Sequence, residues 1–107
     1  MTRKPKTAGH RFRIAVERLD DEAPARRAGD RHVFEVDHHD DLLEIIERVR
    51  AGGAFAPADA SALALGVKLF GGVMLAHRAD PMFEAVQPAM RAFVGNLKSR
   101  VAAKERA

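Results

Sequence analysis

The chain has 107 residues, 47% hydrophobic and 31% charged, which is the size of one small domain with an ordinary globular composition and excludes collagen-like, mucin-like and wholly disordered readings. Its net charge of +3 is unevenly spread: residues 1–13 carry five basic groups and no acid, residues 91–107 carry five against Glu105, and 14–90 carry eight against fourteen acids. An acidic folded body between basic ends is expected, and such ends read as solvated termini rather than as a grip on phosphate.

Residues 1–9 read as a flexible basic tail. Pro5, Thr7, Ala8 and Gly9 stand where an export signal needs a continuous apolar run, so a cytoplasmic location is expected. His10 to Glu17 then alternates, with Phe12, Ile14 and Val16 on one side and Arg11, Arg13 and Glu17 on the other, the period-2 pattern of a half-buried strand. Arg31 to Asp37 repeats the pattern with Phe34 and Val36. The irregular, charged segment between them, Asp20 to Asp30, reads as an exposed loop. An antiparallel register pairing Glu17 with Arg31, Arg13 with Glu35 and Arg11 with Asp37 makes all three charge pairs complementary. It also sets Phe12 opposite Val36 and Ile14 opposite Phe34, whereas a one-residue slip would oppose apolar to polar side chains.

Asp40 or His39 is placed to cap a helix whose Leu42, Ile45, Ile46 and Val49 follow helical spacing. Asp41 and Glu44 near its start and Arg48 and Arg50 near its end suit the dipole, and Gly52-Gly53 stops it. Pro57 opens a second helix running toward His77, apolar nearly all round and so expected to be central and buried. Its run from Ala60 to Ala76 is interrupted by Lys68 and is shorter than the roughly 20 residues a bilayer span needs, which argues against a membrane. Ala58, Ala62 and Gly66 recur every four residues and make a face that another backbone can approach. Gly66, Gly71 and Gly72 each cost about 1 kcal/mol relative to Ala in a helix, so either tight packing offsets them or the helix kinks at Gly71-Gly72; packing is favoured. Asp80-Pro81 marks a break, Met82 to Val86 a short turn, and Pro88 the start or a kink of a last helix with Met90, Phe93, Val94, Leu97 and Val101 on one stripe. The domain is expected over 10–100, with 101–107 a frayed basic end. The fold class is α+β, an antiparallel two-stranded hairpin with three main helices in the order β-β-α-α-α, whose sheet a dimer could extend.

Candidate chemistry is sparse. His38-His39-Asp40-Asp41 is the densest set of potential ligands, with His10, His32 and His77 elsewhere, but adjacent residues on a strand-to-helix turn are expected to point apart, and a polar capping turn is the favoured reading. No cysteine is present, so disulfides and thiol nucleophiles are excluded. Thr2, Thr7, Ser61 and Ser99 have no histidine partner implied by spacing. Gly71-Gly72 lacks the following Lys and Ser or Thr of a phosphate loop. All six aromatics are Phe; Phe12, Phe34, Phe70 and Phe93 fall on expected core faces, and Phe55 and Phe83 stand near helix starts, so no base-stacking platform is expected. No catalytic residue, cofactor site or metal site is assigned.

Three segments, HRFRIAVERL (10–19), FEVDHHDDLLEIIERVR (34–50) and ALGVKLFGGVMLAHRADPMF (64–83), resemble a small bacterial family, domain of unknown function 3861. The resemblance spans roughly residues 10–100, and KLFGGVML, Lys68 to Leu75, is its most distinctive piece. It implies a bacterial, intracellular, single-domain protein and brings no activity. The leading expectation is a non-catalytic interaction or structural module that forms a homodimer. The alternatives are a nucleic-acid-associated protein using its basic ends and a small-ligand or metal-binding enzyme.

Overall fold

A computed structural model describes residues 9–20 and 29–106 of the chain, with side chains as far as 102. The element order is β1 (His10–Glu17), β2 (Arg31–His38), α1 (Leu42–Gly52), α2 (Pro57–Ala76), a single 3₁₀ turn (Pro81–Phe83) and α3 (Gln87–Arg106), so the expected β-β-α-α-α order holds. The chain divides at Asp40/Asp41 into a hairpin unit and a helical unit.

In the hairpin unit β1 and β2 are antiparallel, pairing Arg11 with Asp37, Phe12 with Val36, Arg13 with Glu35, Ile14 with Phe34 and Glu17 with Arg31. This is the register expected from charge and burial together. Arg13 reaches Glu35 at 2.9 Å, Arg31 reaches Glu17 at 3.5 Å and Arg11 reaches Asp37 at 3.8 Å. A diagonal contact adds to the facing pairs: Arg11 also donates to Glu35, at 2.7 Å, so Glu35 is held between two guanidiniums. On the opposite face Phe12, Ile14 and Val36 are half-buried while Val16 and Phe34 are exposed. The end toward the connecting segment is closed by the Arg18 N–H donating to the Asp30 carbonyl at 2.8 Å and by Arg18 Nε to the Asp30 carboxylate at 3.2 Å. Gly29, just before it, has φ of 92°, a left-handed conformation that glycine adopts without steric cost. Most of the expected loop, 21–28, and the basic tail, 1–8, lie outside the described residues.

In the helical unit the cap of α1 is Asp41, one residue later than expected. Its carboxylate accepts from the N–H groups of Leu43 at 3.2 Å and Glu44 at 3.4 Å. Asp40 stands one residue before the N-cap position, since the helix begins at Leu42, and its own N–H donates to His38 Nδ1 at 3.0 Å. Gly53 ends the helix at φ 73°, donating to the Arg50 carbonyl at 3.2 Å, as the glycine pair implied. Helix α2 begins at Pro57 and runs unbroken through Gly71-Gly72. Its expected burial is not found: only Ala60 and Ala64 are buried, while Phe70, Val73 and Leu75 are 39%, 53% and 55% exposed. The expected packing is also missing at two of its glycines, since a Cβ added at Gly66 or Gly71 would meet nothing within 4 Å.

After α2 the Asp80 carboxylate accepts from the Met82 N–H at 2.9 Å and caps the 3₁₀ turn, which is shorter than the turn expected over 82–86. It carries Phe83 into a buried position, edge-on to Phe70 with ring centroids 6.1 Å apart. Helix α3 continues to Arg106, and Val101 joins Val49, Ala60 and Ala64 in the core, with Ile45, Ile46, Phe55 and Leu97 packed on it. Phe93 is 41% exposed, so neither it nor Phe70 is the core residue its stripe implied. Gly52 faces this core: a Cβ there would stand 3.5 Å from a Val101 methyl.

Two measurements check these devices. Asp41→Ala is expected to cost about 1 kcal/mol, read as a lower urea midpoint with an unchanged slope. The hydrogen bond from Arg11, then that from Arg13, and then their charge hold the exposed Glu35 carboxyl below the usual glutamate range. The folded state therefore binds fewer protons than the unfolded state between the lowered and the ordinary value, so the stability from this clamp is present above that window and lost as pH falls through it. A carboxyl NMR titration is expected to find Glu35 titrating below the ordinary glutamate range.

Candidate functional site

The strand-to-helix turn after β2 gathers more than its spacing suggested. The rings of His38 and His39 stack with centroids 4.8 Å apart and planes 15° from parallel, and His39 Nε2 lies 3.6 Å from the Asp40 carboxylate. One potential ligand atom from each of His38, His39 and Asp40 falls within 4.8 Å of the others, so these side chains converge, contrary to the expectation that they point apart. Asp41 is drawn away to cap α1. His38 is buried and its Nδ1 accepts the Asp40 N–H, which puts the neutral ring's proton on Nε2. A metal could take Nδ1 only by displacing that backbone donor, and Nε2 only after a tautomer change that also breaks the bond. The geometry is that of a hydrogen-bonded turn in which His38 orients the backbone.

The other candidates are dispersed. Ser61 is half-buried on the first turns of α2 and Ser99 is exposed near the end of α3. Both belong to the helical unit, whereas His10, His32, His38 and His39 belong to the hairpin unit and His77 caps the C-terminus of α2. Thr2 and Thr7 lie outside the described residues. Arg11 and Arg13, the basic strand face that a nucleic acid would need, are both committed to Glu35.

The helical unit holds a cleft that the sequence did not announce. Helix α1 packs against both α2 and α3, but α2 and α3 make at most isolated contacts with each other. The gap between them, floored by Ile45 and Val49 of α1, has a volume of about 420 Å³. Val67 on one wall and Val94 and Leu97 on the other keep it apolar, and each helix adds one cation to the lining: Arg48, Lys68 and Lys98. Among the described residues no acidic side chain lines it. Arg48 reaches Glu44 at 3.9 Å, with both side chains more than half exposed, a pair worth at most about 1 kcal/mol and readily exchanged.

Emission spectroscopy of the purified protein is expected to find zinc and iron well below one equivalent, because the His38 bond to the backbone competes with ligation. One firmly bound ion per chain, lost in His39→Ala, would reverse that reading.

No curated protein matches the chain. A crystal structure of a protein of unknown function from Pectobacterium atrosepticum is 35% identical and superposes with a TM-score of 0.71, covering 85% of this chain and 98% of its own. A family model described as a domain of unknown function with a solved structure, DUF3861, matches residues 10–99, the span on which the sequence resemblance rested. The chain is a member of the DUF3861 family.

Proposed function

We propose that this protein is a non-catalytic interaction module that self-associates through the uncovered side of α2. The observation that carries the reading is that α2 is a 20-residue helix of mean hydropathy 1.4 over its most apolar window, of which 11% is buried. Ala58, Ala62 and Gly66 are exposed on one side of it, followed along the helix by Phe70 and Val73. Small residues there would let a second helix approach closely, and the larger ones beyond would lose apolar surface to water at about 25 cal/mol per Å². Burial of about 800 Å² per subunit is the usual scale of a stable interface. Within the chain no large side chain among the described residues falls below 2% exposure, so a second copy would supply burial that one copy lacks. Extension of the sheet is a less favoured route to the same dimer, since each strand has the other as its only ladder partner among the described residues.

The setting we assign is the bacterial cytoplasm. The bacterial source of the solved neighbour supports the first part. By length and composition α2 could cross a membrane, which the shorter apolar run read from the sequence did not suggest. Lys68 near its middle would cost about 2.5–3.5 kcal/mol at a bilayer centre, and Ala60 and Ala64 are already buried in the core with Val49 and Val101.

Light scattering behind size exclusion, at high micromolar concentration, is expected to give a dimer. Val73→Asp and Gly66→Leu are expected to shift it toward monomer with unchanged far-ultraviolet circular dichroism. A strict monomer, or a dimer indifferent to both changes, would overturn the reading, as would recovery of the protein in the membrane fraction.

A further inference from the structure

We propose that the hairpin of a second copy covers the C-terminal half of α2, each subunit laying the apolar face of its β1–β2 ribbon on the other's helix. The proposal rests on self-association through α2 and names what that helix meets. The hairpin has two unlike faces. Arg11, Arg13 and Arg31 with their carboxylates occupy one, and Phe12, Ile14, Val16, Phe34 and Val36 occupy the other, Phe12 facing Val36 and Ile14 facing Phe34. A lone two-stranded ribbon is marginal in water and needs a layer packed on its apolar face. The hairpin unit has no such layer among its described residues, and Val16 and Phe34 are exposed. In the same chain Gly66, Phe70, Val73 and Ala76 are exposed along one side of α2. A two-fold pair covers both faces on both subunits, because each subunit then gives and receives the same contact.

The two faces match in length and shape. From Phe12 to Val16 the strand advances about 14 Å at about 3.4 Å per residue, and from Gly66 to Ala76 the helix advances about 15 Å at 1.5 Å per residue. A Cβ added at Gly66 would meet nothing within 4 Å, so the helix has a hollow beside Phe70 in which a ring from the sheet can settle. A second α2 by itself leaves this half uncovered. Ala58, Ala62 and Gly66 let two helices approach closely, but at the commonest crossing angle, about 50°, they part within two or three turns, and Phe70 and Val73 stand about two and three turns beyond Ala62. The area also calls for both faces. Val16, Phe34, Phe70 and Val73 each keep between 37% and 61% of their surface open. A large apolar side chain presents roughly 150–250 Å² when fully open, so these four and the half-buried Phe12, Ile14, Val36 and Leu69 offer on the order of 400 Å² per subunit. A standard interface takes about 800 Å² from each partner, a little over half of it non-polar. The large side chains of α2 by themselves reach about half of that non-polar share.

Cross-linking between differently marked copies tests the contact. The chain has no cysteine, so an introduced thiol is unique. Val16→Cys and Val36→Cys, at opposite ends of the hairpin face, are each mixed with Val73→Cys, left to exchange subunits and treated with a short bis-maleimide. At least one mixture is expected to give a covalent dimer whose linked peptides, read by mass spectrometry, join the hairpin of one copy to α2 of the other. The thiols belong to different molecules, so a contact within one chain does not produce this link. Phe34→Lys is expected to raise the dimer dissociation constant at least about tenfold with unchanged far-ultraviolet circular dichroism. Cross-linking of Val73→Cys only to itself would put two helices together where the hairpin is placed and overturn the proposal. A dimer that Val73→Asp breaks and Phe34→Lys leaves intact would also overturn it, while keeping the association through α2. A parent chain that stays monomeric would overturn both, and a Val16→Cys thiol closed to maleimide in that monomer would give the hairpin face to a segment of its own chain.

Discussion

The structure turns on a mismatch of length. Helix α2 has 20 residues and α1, which packs on it, has 11, or about 30 Å against about 16 Å at 1.5 Å per residue. A helix apolar on all sides can be covered by such a partner along one side and over roughly half its extent. Ala60 and Ala64, in the N-terminal half, are the buried residues of α2, while Phe70, Val73 and Leu75 in the other half remain open to water. The 3₁₀ turn partly compensates by laying Phe83 against Phe70. The absence of close packing around Gly66 and Gly71 follows from the same cause, for these glycines stand where no element of the described chain arrives.

The core that does form is made of small and β-branched groups. Val49, Ala60, Ala64 and Val101 come from three different helices, and Val101 lies beside Gly52, where an added Cβ would make ordinary contact with its methyl. Val101 is where α3 joins the α1–α2 core, while the rest of α3 makes few contacts with α2. The cleft is the space left when two long helices share one short support and meet each other only near Val101. Its cations are a product of the same geometry, since Arg48, Lys68 and Lys98 each sit where a helix surface passes from packed to wet. That passage is where a long basic side chain can lay its stem on apolar neighbours and keep its charge in water.

Much of the hairpin was legible in the sequence because two independent signals agreed there. The charge pairs across Arg11, Arg13 and Glu17 selected the same register as the apolar alternation, and β-structure offers few other ways to satisfy both. The C-terminal end of α1 and the start of α2 were legible through Gly53 and Pro57, whose backbone preferences are local. What was hidden depended on partners. The cap fell on Asp41 rather than Asp40 because the helix begins at Leu42, which brings the Asp41 carboxylate to the N–H groups of Leu43 and Glu44, and spacing fixes a helix start only to a residue or two. Phe70 and Phe93 fell on apolar stripes, but periodicity says which residues share a side and not whether anything covers it. The convergence of His38, His39 and Asp40 and the α2–α3 cleft come from ring stacking and helix separation, neither of which leaves a periodic trace.

The clamp on Glu35 has a consequence beyond stability. The charged side of the hairpin carries Arg11, Arg13 and Arg31 against Glu17, Glu35 and Asp37, an even balance in which one carboxylate answers two arginines at once. Neutrality of that surface thus hangs on a single codon. Exchange of this glutamate for lysine would leave a cationic ribbon on a rigid ladder, so a descendant of this fold stands one step from attracting polyanions, with its backbone pairing already in place.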